Sequence, residues 1–157
     1  MIRPFETQDM NPLVKFIAKQ SEQIGGNGFA DADQDNIIKF IKQWVIVPGS
    51  AIFISEHANQ IRGYACVQSV NIPWNGKKVC MINVIYVAPE FRNGHTTNFL
   101  FDEIETWAKQ HDCKAIINTV IMYDNQFQPQ QDFIENADAY FGRKMTECGR
   151  CYVKEIV

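Results

Sequence analysis

The sequence lacks the features that mark membrane, nucleic-acid-binding and disulfide-stabilised proteins. No apolar run approaches the roughly 20 residues of a membrane-spanning helix, and no block of lysine and arginine offers a surface for nucleic acid. The first ten residues carry acidic side chains and no apolar core, unlike a signal peptide. The five cysteines are odd in number and scattered, which favours free thiols. We therefore expect a cytoplasmic protein with no nucleic-acid or membrane partner.

The composition is that of one folded domain. The chain has 157 residues, of which 46% are hydrophobic and 21% charged, enough apolar material to bury a core. No internal repeat and no linker interrupts it. We predict a single domain over residues 1–157.

Hydrophobic periodicity predicts ten elements in the order β-α-α-β-β-β-α-β-α-β. Apolar residues at helical spacing follow Asp9, which is expected to cap the first helix, and Asp33 or Asp35 is expected to cap the second. Turn residues at 57–60 and 75–76 separate three consecutive strands, which should form an antiparallel meander. The predicted strands span 2–5, 51–56, 61–70, 78–87, 115–122 and 148–156.

The segment from residue 78 to residue 122 reads as strand, helix and strand. Such a unit requires a crossover that makes its two strands parallel. The expected fold class is therefore α/β with a mixed (α+β) sheet. Ligands in such sheets bind at the carboxyl ends of the central strands, and the free N–H groups of the helix that follows attract anions.

Residues 84–97 read VIYVAPEFRNGHTT and carry the strongest functional signal. They resemble the acetyl-CoA-binding motif of the GNAT superfamily of N-acetyltransferases, a strand followed by V-x-P-x-x-R-G-x-G-x-G/A and a helix. Val87, Pro89 and Arg92 match in register. The order of elements over the whole chain also resembles that fold. The resemblance implies a GNAT-like acyl-CoA N-acyltransferase fold, with acetyl-CoA as co-substrate.

The resemblance also implies which residues bind the co-substrate. They are Val84, Ile85, Tyr86, Val87, Arg92, Asn93, Gly94, His95, Thr96 and Thr97. Asn93, His95 and Thr97 replace glycines of the family pattern, and each added Cβ keeps backbone amides away from the phosphates. We therefore expect weakened or altered binding of CoA. Thr96 or Thr97 is expected to cap the helix.

Two catalytic positions follow from the resemblance. Tyr140 occupies the tyrosine position of the family pattern Y-x-x-x-G-F, where a phenol protonates the departing thiolate; alternatively, Tyr140 only packs its helix. Asn83 stands where many members carry a glutamate as general base, and an amide cannot accept a proton. A base would then come from Glu56, His57 or Asp124 through a water, or the amine would need no strong base.

The predicted function is transfer of an acetyl group from acetyl-CoA to a primary amine of a small molecule or peptide. The alternative is a non-catalytic protein of this fold that binds a CoA ester or a protein partner; a purely structural oligomer is a third reading. A homodimer is compatible with each. Residues 24–33 form either an acceptor lid or a solvated loop. No metal is expected, because the Cys148–Cys151 spacing has no second pair.

Overall fold

The computed structural model describes residues 1–23, 33–92 and 95–118. Residues 1–20 and 32–119 form one compact unit, and nearly all of the other unit, residues 21–31 and 120–157, lies outside the described ranges. The single domain over residues 1–157 therefore stays a prediction.

The described elements follow the predicted order as far as the fifth strand. The last predicted helix and strand lie outside the described residues, as do Tyr140, Asp124 and most of the 24–33 loop. The strands and helices are β1 (Ile2–Pro4), α1 (Met10–Gln23), α2 (Gln34–Ile46), β2 (Ser50–His57), β3 (Gln60–Asn71), β4 (Lys78–Val87), α3 (His95–Gln110) and β5 (Ile116–Asn118).

The five strands form one mixed sheet in the order β1-β2-β3-β4-β5. Neighbours from β1 to β4 are antiparallel, whereas β4 and β5 are parallel. The predicted meander, the parallel crossover and the mixed sheet are therefore confirmed. Among the described helices, none is both long enough and apolar enough to cross a bilayer.

The helices cover the sheet with apolar faces. Leu13 of α1 and Ile37 of α2 belong to one buried cluster with Ile54 and Tyr64 of the sheet. Strand side chains alternate between the two faces of a sheet, so the neighbours of Ile54 and Tyr64 along their strands point to the opposite face. The helix α3 covers that opposite face and buries Leu100 against it. The buried apolar residues of α3 are Leu100, Phe101, Ile104, Trp107 and Ala108.

Buried cysteines agree with the expectation of free thiols. Cys66 and Cys80 are free and buried in the sheet, and Cys113 is free and half-buried. Burial raises the pKa of Cys66, and it raises the pKa of Cys80 to about 12. Both thiols therefore stay protonated and unreactive at neutral pH.

The helix caps correct two of the sequence predictions. Asp33 does cap α2, since its carboxylate accepts from the Asp35 N–H at 3.1 Å. Asp9 ends a 3₁₀ turn before α1, and its carboxylate turns back to the Glu6 N–H at 2.7 Å rather than capping α1. The helix α3 begins at His95, so Thr96 and Thr97 lie inside its first turn and neither is the cap.

The Asp9 carboxylate is held by an arginine from the first strand. The Arg3 guanidinium donates to both oxygens of Asp9, at 2.6 and 2.7 Å, and also to Glu56 at 2.6 Å. This network ties β1, the turn before α1 and β2 together. The Arg3 hydrogen bond is the main cause that lowers the pKa of Asp9.

Loss of this network is expected to destabilise the fold, because the Asp9 side chain is only 7% exposed. Arg3→Met would leave that carboxylate without its cation, at a cost of about 2 kcal/mol. Since the folded pKa of Asp9 is lowered, its stabilisation is present above the ordinary carboxyl pKa of about 3.9 and is lost as the pH falls through the folded value. Urea unfolding at pH 7 and pH 3 measures both effects. If the free energy of unfolding of Asp9→Asn fell between pH 7 and pH 3 as much as that of the wild type, Asp9 would not be the group that causes the acid dependence.

Candidate functional site

The carboxyl half of β4 extends past its described pairing with β5. The parallel ladder joins Cys80 to Ile116 and Ile82 to Asn118, where the described part of β5 ends, while β4 continues to Val87. On this side, the described residues place no strand beside the last half of β4. This edge is the carboxyl end of a central strand, where the sequence predicted a ligand site.

Asn83 is the extra residue of a β-bulge. Cys66 pairs with Val84 and the next residue, Val67, pairs with Ile82, so Asn83 lies opposite neither. Its side chain is exposed. Bulges redirect a strand and are frequent beside active sites. The structure therefore presents Asn83 at the start of the extended edge, with an amide that can form hydrogen bonds but cannot accept a proton.

Backbone groups of β4 divide into two sets. The Ala88 N–H donates to the Arg62 carbonyl at 2.9 Å, which makes this a hydrogen-bonded pair of the antiparallel ladder. Because such pairs alternate, the backbone groups of Val84 and Tyr86 also face β3, whereas those of Ile85 and Val87 face away from it. Of the four β4 residues predicted to bind the co-substrate, two therefore offer backbone groups at the edge.

Val84 and Tyr86 contribute differently. The Tyr86 side chain is buried, and that of Val84 partly buried, on the face covered by α1 and α2. Phe16 of α1 meets the Tyr86 ring edge-on at 5.8 Å between centroids. These two residues anchor the edge through their side chains rather than offering it backbone groups.

The side chain of Arg92 lies back against β4. Its Nε donates to the Val87 carbonyl at 2.9 Å, and its guanidinium carbon is 5.4 Å from the centre of the Tyr86 ring. Burial raises the pKa of Tyr86, while the charge of Arg92 and a hydrogen bond with it act in the opposite direction. Arg92 was predicted as a co-substrate ligand, and the structure shows it bound to its own chain.

The connection from β4 to α3 begins with a short 3₁₀ turn over Pro89–Phe91. The Phe91 N–H donates to the Ala88 carbonyl at 2.9 Å, and the Arg62 guanidinium lies 4.6 Å above the Phe91 ring. At the start of α3, His95 is exposed and Thr96 is buried. The free N–H groups in the first turn of a helix, together with the helix dipole, attract anions in general. Asn93 and Gly94 lie outside the described residues.

Two of the suggested general bases lie away from Asn83. Glu56 is bound to Arg3, and it pairs with Ile61 near the β2–β3 turn. Asn83 lies two strands away and about five residues along the sheet, which is a separation of roughly 17 Å along the strands alone. His57 lies one residue further, so neither is a direct base at Asn83.

A cleft of about 590 Å³ lies between α3 and the β1–β2 edge. Its lining includes Glu56, Arg62, His95 and Asp102, so both signs of charge face it. Neither Asn83 nor Ile85 lines it, which separates it from the β4 edge. Among the described residues, no group of three or more histidine, cysteine or acidic side chains is arranged to hold a metal ion.

Sequence reasoning missed two residues that shape the site. Tyr64 lies beside Tyr86, and its hydroxyl donates to Gln20 Oε1 of α1 at 2.8 Å; burial raises its pKa well above the ordinary value. No motif marks this contact. Gly63 lies opposite Val87, and a glycine inside an apolar strand is a recognisable sign of close backbone approach.

Solved acetyltransferases share this fold over nearly the whole chain. An aminoglycoside acetyltransferase, AAC(6')-Iy, in complex with the bisubstrate analogue CoA-S-monomethyl-acetylneamine, has a TM-score of 0.71 at 18% identity, covering 99% of this chain and 98% of that one. The glucosamine-6-phosphate N-acetyltransferase from Arabidopsis thaliana has a TM-score of 0.72 at 15% identity, covering 100% and 98%. At such identities the likeness shows the fold alone.

The sequence comparisons identify the family. No curated protein sequence matches the chain significantly. The family model described as "Acetyltransferase (GNAT) family" matches residues 15–128, well over half of the chain and including all of β4 and α3. The chain therefore belongs to the GNAT family of acetyltransferases.

Proposed function

We propose that this protein is an acetyl-CoA-dependent N-acetyltransferase that moves an acetyl group to a primary amine of a small molecule or peptide. The observation that carries the proposal is the extended β4 edge, with the backbone groups of Ile85 and Val87 directed away from β3 and leading into the start of α3. We further propose that it acts in the cytoplasm as one domain over residues 1–157, alone or as a homodimer.

The β4 edge suits a pantetheine arm. Both backbone groups of Ile85 and the N–H of Val87 face the edge, and the Val87 carbonyl is used by Arg92. Pantetheine carries two amides, which can pair with these groups as another strand would. The pyrophosphate would then lie against the first turn of α3, which begins at His95.

The chemistry proposed is direct transfer. The amine nitrogen attacks the thioester carbonyl, so that a C–N bond forms and the C–S bond breaks. In this proposal Tyr140 donates its proton to the departing thiolate, and the proton released by the amine passes to water. Asn83 can hold that water or the amine by a hydrogen bond. Orientation of the two substrates supplies much of the rate increase.

Binding of acetyl-CoA is expected to stabilise the protein. At 100 times the dissociation constant, the free energy of unfolding should rise by about 2.7 kcal/mol, which is a shift of about 5 to 11 °C in Tm. Thermal melting and titration calorimetry measure this, with adenosine as the control ligand without phosphates. If millimolar CoA gives neither a shift nor heat, acyl-CoA binding is refuted.

A specific observation favours a second candidate function, a non-catalytic member that binds a CoA ester or a protein partner. The bulge position carries Asn83, whose exposed amide cannot act as a base. The two candidates are separated by release of free thiol from acetyl-CoA in the presence of aminoglycoside, amino-sugar and peptide amines. Binding of CoA without thiol release from any of them would favour the second.

A further inference from the structure

The Arg92 side chain makes its backbone contact through Nε, the nitrogen bonded to Cδ. This atom donates to the Val87 carbonyl at 2.9 Å. The hydrogen bond joins the residue that follows the 3₁₀ turn, Arg92, to the residue that ends the strand, Val87. A general attraction between a cation and phosphates would not require this geometry.

The acceptor of this hydrogen bond is available because of the ladder register. Gly63 and Val87 form a pair without mutual hydrogen bonds, since the next pair, Arg62 and Ala88, is hydrogen-bonded. The Val87 carbonyl therefore faces away from β3, and Val87 itself is buried. Arg92 therefore provides a hydrogen-bond donor for the Val87 carbonyl, which does not pair with β3.

The rest of the turn is held by other contacts. The Ala88 N–H bonds to Arg62, the Phe91 N–H bonds to Ala88, and the Arg92 N–H bonds to the Pro89 carbonyl at 3.2 Å. These contacts shape the turn but do not join Arg92 to the strand. The Nε hydrogen bond joins Arg92 to the backbone of the strand, and the guanidinium also lies 5.4 Å from the centre of the Tyr86 ring. Of these two contacts, the Nε hydrogen bond is the one that fixes the backbone at the end of β4.

We propose that Arg92 is a positioning residue, whose Nε–H rather than its charge holds the β4–α3 turn in the shape that presents the first turn of α3 to the co-substrate. The inference rests on the proposed function, because it assumes that CoA binds at this turn. It assigns to Arg92 a role different from the direct ligand that the motif implied.

Two substitutions separate the hydrogen bond from the charge. In Arg92→Gln the amide nitrogen is bonded to Cδ, as Nε is in arginine, so the donor is kept and the charge is removed. In Arg92→Lys the charge is kept, but a methylene group replaces the donor. We expect Arg92→Gln to bind CoA within about threefold of the wild type and Arg92→Lys to bind about tenfold more weakly.

The control for charge removal is Lys109→Gln. Lys109 is an exposed residue on the last turn of α3, where it forms an ion pair with Glu105. The variant's affinity for CoA should match the wild type. Calorimetry at two salt concentrations completes the test. The reverse ranking, with lysine tolerated and glutamine weak, together with a smaller salt dependence in Arg92→Gln, would mean direct contact with phosphate and would overturn the proposal.

A second readout works without any ligand. Amide hydrogen exchange of residues 88 and 90–92 should be unchanged in Arg92→Gln and about tenfold faster in Arg92→Lys, with equal melting temperatures. If the wild type fails to bind CoA, the proposed function is wrong, yet exchange still reports whether Nε holds the turn. Equal exchange in all three proteins would overturn the positioning role.

Discussion

Replacement of Gly63 by valine is expected to destabilise the protein by about 3 kcal/mol and to distort the β4 edge. A Cβ at Gly63 would lie 2.7 Å from the Tyr86 carbonyl oxygen and 3.3 Å from the Val87 Cα. Both are backbone atoms of the neighbouring strand, so no side-chain rotation relieves the overlap. The strands β3 and β4 must therefore move apart. The strand β4 carries the backbone groups that are proposed to bind CoA, so this movement should also weaken binding of CoA.

A graded series makes this test sharper. Gly63→Ala introduces the Cβ alone and should cost about 2 kcal/mol, less than valine. The matched control is Gln68→Val, at a half-buried position of the same strand, which is expected to change the free energy of unfolding by about 0.5 kcal/mol or less. Urea unfolding gives all three values. Wild-type stability in Gly63→Val would mean that β3 and β4 are not as close as the structure shows.

Replacement of Tyr140 by phenylalanine is expected to lower kcat for acetyl transfer by about 10² to 10⁴-fold, with little change in KM for acetyl-CoA. The reason for this expectation is the position of Tyr140 in the family pattern Y-x-x-x-G-F. The residue lies outside the described part of the structure, so the expectation rests on the sequence. A phenol donates a proton to a thiolate readily, because their pKa values are close. Without it, the leaving group must take its proton from water.

Tyr64→Phe is the matched control for Tyr140→Phe. It also removes one phenol oxygen, but from a buried hydroxyl that donates to Gln20. That change should lower the free energy of unfolding by about 1 kcal/mol and leave kcat nearly unchanged. Steady-state kinetics with a saturating amine decide the comparison. A kcat in Tyr140→Phe equal to that of the wild type would assign Tyr140 to packing alone.

Local pattern was sufficient for the described strands and for the order of the described elements. The bounds of β4, residues 78–87, were predicted correctly, because a nearly continuous apolar run lies between a glycine-containing turn and Pro89. The start of α3 was predicted incorrectly. Threonine is a good cap, but Thr96 and Thr97 follow the true start at His95, and propensity alone does not choose among adjacent polar residues.

Within the described residues, the sequence by itself determined which segments are strands and helices, and the spacing of Val87, Pro89 and Arg92 pointed to the family. Only the tertiary structure decided what each site residue contacts. The bulge at Asn83, the close approach at Gly63 and the free carbonyl that Arg92 binds all depend on the register between β3 and β4. The turn between β3 and β4 fixes the register next to the turn, but the bulge at Asn83 shifts it for the rest of the two strands. The position of that bulge depends on how both sheet faces pack against the helices, so local pattern does not encode it.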